Sequence, residues 1–156
     1  MGRSSIIALV VCVLACFAAA GIGGLATRPG EWYASIAKPS FTPPNWLFGP
    51  VWTLLYAMMA VAVWLVWERR MHAPVGWALA VFSVQLVLNA LWSVLFFGLH
   101  RPGAALIDLA LLWLAILASI VLFWRVSIVG AWMLMPYLAW VSFAAVLNAS
   151  IWWLNR

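Results

Sequence analysis

The chain has 156 residues, 69% of them hydrophobic and only 7% charged, too few charges to coat a water-soluble domain of this size. Its net charge of +5 rests on eight basic residues scattered along the chain, with no basic stripe to track a nucleic acid. What remains is an integral membrane protein whose surroundings are the lipid bilayer, with room for four or five spans of roughly 20 residues each.

The first apolar run covers residues 5–26. Arg3 ahead of it and the small residues Ala18 and Ala20 give it some likeness to a secretory signal, and "VLAC" weakly matches a lipoprotein site at Cys16. The run continues past these points to Ala26, which favours a span. In "AAGIGG", Ala20 and Gly24 have the spacing of a close-packing helix face. Cys12 and Cys16 share one helical face, too far apart for an ordinary disulfide.

A long connection follows, containing "KPSFTPPNW". Its prolines fix φ and remove backbone donors, so it can be stiff without a hydrogen-bond ladder. The second run, 46–67, places Trp52 and Tyr56 on one face. The third, 75–99, does the same with Gln85, Asn89 and Trp92. The fourth, 103–124, carries Asp108. The fifth, 129–154, aligns Trp140, Ala144 and Asn148. Residues 1–156 thus read as one all-α domain of five transmembrane helices. The short later connections make neighbours antiparallel. Basic residues divide four against four between the two sides, which leaves orientation, and the choice of inner or outer membrane, undecided.

Several residues do not belong in lipid. Asp108 must face the bundle, where it either hydrogen-bonds a neighbouring helix or serves a ligand or a proton. Gln85 and Asn89 either join helices or form the polar wall of a pocket; for Asn89 the pocket role is the favoured reading. Thirteen tryptophans exceed the needs of interfacial belts, so some face the interior. Three aromatic or amide faces in one bundle point to a cavity with apolar walls and a few placed polar groups. No metal-ligand cluster, activated nucleophile or glycine-rich phosphate loop is evident, and no conventional catalytic constellation is expected. A binder of a flat or bulky apolar molecule is the reading these residues favour.

Three stretches carry a family resemblance. "EWYASIAKPSFTPPNWLFGPVWTLLY", "QLVLNALWSVLFFGLHRPGAALIDL" and "MPYLAWVSFAAVLN" resemble, in order, the signature loop and second helix, the third and fourth helices, and the fifth helix of the translocator protein family, the tryptophan-rich sensory proteins. The chain is similar to its bacterial members. The resemblance implies a five-helix bundle, often a homodimer, whose cavity is capped by the first loop. It implies binding of porphyrins of the protoporphyrin IX type and of benzodiazepine-site ligands, with no cofactor beyond the ligand. A transporter of tetrapyrroles or other apolar small molecules is the alternative. Light-dependent porphyrin breakdown, reported for some bacterial members, is the one enzyme-like activity in view.

Carried over by position, the pocket includes Tyr33, Pro43, Pro44, Trp52, Tyr56, Asn89, Trp92, Trp140 and Ala144. Gln85, Asp108 and Leu147 join them as candidates. Trp52 and Trp140 match the tryptophans given the photochemical role. Trp32, Tyr33, Phe41 and Trp46 would form the underside of the lid, with Lys38 and Arg28 at its rim. There are departures. Phe41 stands where many relatives carry Trp. Ala149 interrupts the sterol pattern of animal members, so sterol transport is not expected. Ala80 and Val84 replace a glycine pair in the third helix. Gly76 and Ala80 still make a small-residue pair, but a homodimer rests on the resemblance.

Overall fold

A computed structural model describes residues 2–26 and 31–156, and all regular structure among them is helical. Arg28, expected at the lid rim, lies outside the described residues. The helices are α1 (Arg3–Ala26), the short α2 (Glu31–Ser35), α3 (Asn45–Glu68), α4 (Gly76–Ser93), α5 (Pro102–Trp124) and α6 (Ile128–Leu154). Among the described residues, five segments are long and apolar enough to span a membrane. A helix can do so because it satisfies its own backbone hydrogen bonds.

Local chemistry sets the ends. Pro102 occupies the start of α5, where a missing N–H costs nothing. Ser127 caps α6 by accepting the Gly130 N–H at 3.2 Å. α4 has 18 residues, short for a bilayer, and a π-helical turn, Val94–Gly98, extends that span to Gly98. The turn shows in the Leu99 N–H, which reaches back to the Val94 carbonyl. The chain then reverses at His100, whose φ of 55° is unusual for a residue with a Cβ.

The spans form a ring. α1 packs on α3 and α4, α3 on α6, α6 on α5, and α5 on α4. α3 and α4 are joined by a short turn, yet their backbones come close at few points and side chains bridge the gap. Gly130 brings the start of α6 close to α3: a Cβ there would lie 3.1 Å from the Ala62 carbonyl oxygen. Trp113 Nε1 donates to Ser142 Oγ at 2.8 Å and ties α5 to α6. Met59, Leu112, Ile116, Phe123 and Val141 are fully buried at the centre. Leu14, Val87 and Ile107 are exposed on the outside, where lipid receives them.

Candidate functional site

The gap between α3 and α4, bordered by α1, holds a cavity of about 550 Å³. That lies within the usual range for small-molecule sites. α3 contributes Phe48, Trp52, Thr53 and Tyr56. α4 and its π turn contribute Asn89, Trp92, Ser93 and Phe97. α1 contributes Phe17, Ala20, Gly21, Gly23 and Gly24.

The "AAGIGG" face therefore does something other than expected. A Cβ at Gly21 or Gly24 would meet nothing within 4 Å, so these glycines make room instead of letting helices touch. Gly23 does sit close to a neighbour, with a built Cβ 3.2 Å from Ser93 Oγ.

A second, nearly filled cleft of about 20 Å³ lies beside the cavity. Tyr33, Phe48, Trp52, Trp92 and Phe97 line both spaces and so form the wall between them. Trp140, Ala144, Leu147 and Asn148 line the cleft but not the cavity. The three faces anticipated from sequence meet around the small cleft, through Trp52, Trp92 and Trp140, whereas the larger cavity takes only the first two. Trp52 touches both, with its ring centroid 6.5 Å from Trp92 and 5.7 Å from Tyr56. Trp140 is held against Phe48, 5.9 Å away.

Polar groups at the cavity floor are organised by hydrogen bonds. The Tyr56 hydroxyl donates to Asn89 Oδ1, and Asn89 Nδ2 donates to the Tyr137 hydroxyl at 2.8 Å. The Tyr137 hydroxyl donates to Gln85 Oε1 at 2.9 Å, and Gln85 Nε2 donates to Met59 Sδ. Gln85 is 1% exposed behind Tyr137 and lines neither space, which corrects its placement on the pocket wall. Tyr137 itself, not anticipated as a site residue, is the junction of this network. Tyr137 precedes Trp140 by three residues and Ala144 by seven, so helical spacing sets it on that same α6 face. Trp92 is fixed separately: its Nε1 donates to Asn148 Oδ1 at 3.2 Å, and Asn148 Nδ2 donates to the Pro102 carbonyl at 2.7 Å.

Asp108 faces the bundle, as a carboxyl in a span must, but lines neither space. Its Oδ2 has no hydrogen-bond partner among the described residues, so the anticipated bond to a neighbouring helix is not made by that atom.

The lid lies over the cleft, and its Tyr33 borders the cavity as well. Trp32 stacks on His100 at 4.3 Å and meets Phe96 edge-on. Tyr33 is buried against Phe96 and Phe97, and that burial pushes its phenol pKa up. Phe41 reaches Phe143. Lys38 Nζ sits over the Tyr33 ring at 4.9 Å and donates to the Ala34 and Ile36 carbonyls, so the loop itself engages this charge. Trp46 is 72% exposed. It stands in the first turn of α3, turned out to the surface, and is not part of the underside of the lid. Pro43 and Pro44 line neither space; Pro44 is extended and leads into α3.

Residues 11–154 match the TspO/MBR family. The chain belongs to that family. Its relatives include the protein CrtK of Rhodobacter capsulatus, 42% identical over 97% of this chain and 94% of that protein. The human translocator protein is 40% identical over 78% of this chain and 73% of that protein. The tryptophan-rich sensory protein of Cereibacter sphaeroides is 35% identical, covering 90% and 87%. This member of the TspO/MBR family is an integral, multi-pass membrane protein, as its five apolar spans require.

Proposed function

We propose that the protein is a membrane receptor or sensor whose ligand is a porphyrin of the protoporphyrin IX type, held in the cavity between α1, α3 and α4. The observation that carries this reading is a 550 Å³ space walled by Trp52, Tyr56, Trp92 and Phe17. A flat aromatic macrocycle gains by stacking and apolar burial against such rings. The names of relatives, a sensory protein and a translocator protein, agree with a receptor or sensor role. The same walls suit benzodiazepine-site ligands, which the family resemblance implies.

Titrating protoporphyrin IX into the protein in lipid nanodiscs while following tryptophan fluorescence tests the reading. Saturable quenching that weakens in the Trp52→Phe, Trp140→Phe double variant is the expected result. Quenching that never saturates, or that is unchanged in the double variant, would refute it. A photochemical reading rests on Trp52, whose indole lines the cavity. Such a ring beside an excited porphyrin is placed to donate an electron to it.

A further inference from the structure

The residue that caps the end of α6 holds the lid. The Asn155 side chain accepts the Ala37 N–H on Oδ1 at 3.0 Å and returns a bond from Nδ2 to the Ala37 carbonyl at 2.9 Å. The same Nδ2 donates to the Ile151 carbonyl at 2.7 Å. One amide thus grips both backbone groups of a lid residue while anchored to its own helix. Both of its N–H bonds and its carbonyl are committed. Asparagine is the residue type that suits this task, because it carries two donors and an acceptor on a short stem.

We propose that Asn155 is the latch of the lid and sets the rate at which ligand exchanges with the cavity. This rests on the porphyrin-binding reading above. Ala37 lies four residues from Tyr33, and Tyr33 is a wall of both the cavity and the cleft. Freeing Ala37 therefore loosens the segment that carries this wall. The ring contacts of the lid, Trp32 on His100 and Phe96, Tyr33 on Phe96 and Phe97, and Phe41 on Phe143, make no directional bonds to the lid backbone. Asn155 and Ala37 are both exposed, so their bonds contribute little to global stability and can break without unfolding a span.

Two measurements on the full chain in lipid nanodiscs test the latch. Stopped-flow tryptophan quenching by protoporphyrin IX should show association and dissociation both faster in Asn155→Ala, by about fivefold or more, the order expected for losing two hydrogen bonds. The dissociation constant should change less, because the latch is made with and without ligand. Asn155→Asp, which keeps the acceptor for the Ala37 N–H and loses both donors, should fall between. The second readout needs no ligand: hydrogen exchange in a peptide covering residues 34–42 should quicken in Asn155→Ala, with α3 and α5 unchanged. Saturable binding with unaltered rates, or unaltered exchange in that peptide, would overturn the proposal. Absence of saturable quenching in the wild type would instead refute the porphyrin reading, and the exchange measurement would still decide the latch.

Discussion

The Tyr56 hydroxyl donates to Asn89 Oδ1, and through that amide the cavity wall of α3 is joined to α4. Because Asn89 Nδ2 is also bound to Tyr137, one side chain connects three helices at the floor of the cavity. Asn89→Ala leaves two buried hydroxyls short of a partner, at about 1–3 kcal/mol for each unsatisfied group. The expected outcome is a clear drop in melting temperature, with protoporphyrin affinity per folded molecule weakened by less than about fivefold. Both are measured on one preparation. A variant of wild-type stability that binds tenfold more weakly would make Asn89 a ligand anchor and not a joint.

Gly21 offers a test of the cavity that spares the core. A side chain there points into empty space. Gly21→Ala should keep or slightly raise stability, since glycine inside a helix costs about 0.5–1 kcal/mol relative to alanine. Gly21→Phe should fill the cavity and weaken protoporphyrin binding by more than about tenfold, about 1.4 kcal/mol. Equal affinity in the Phe variant and the wild type would place the ligand elsewhere.

Gly130 predicts the opposite pattern. Its missing Cβ would sit 3.1 Å from the Ala62 carbonyl oxygen, a backbone atom with no rotamer to escape into. Gly130→Val should push α6 from α3 and cost about 1–3 kcal/mol, as overpacking does. The check is thermal unfolding in detergent, followed by helicity. A melting temperature at or above that of the wild type would show that the two helices part without penalty.

Trp52 and Trp140 separate the photochemical reading into two parts. Trp52 lines the cavity, whereas Trp140 lies on the cleft side of the aromatic wall. Under illumination with protoporphyrin, Trp52→Phe should slow loss of porphyrin absorbance more than Trp140→Phe does. Equal rates in both variants and the wild type would reject an electron-donating role for either ring.

Much of this protein follows from composition and spacing alone. Five apolar segments of bilayer length must be helices, because lipid offers their backbones no other partners. The pairing of Trp52 with Tyr56, and of Asn89 with Trp92, is helical periodicity read directly from the chain, and both pairs do line the cavity. Where the faces meet is another matter. Short connections suggest that successive spans pack together, yet the backbones of α3 and α4 stay apart, and the ring closes through α1 on α4 and α3 on α6. The cavity occupies the gap so created. Small residues in α1 gave no sign of this, since glycines that permit helix contact and glycines that leave space look alike in a sequence. Gln85 and Asn89 share a face by periodicity, but Tyr137, arriving from α6, covers one and bonds both. The direction of Trp46 and the reach of Asn155 to Ala37 were likewise set by tertiary packing: each depends on which helix end lies beside the loop, a long-range relationship that no local pattern encodes.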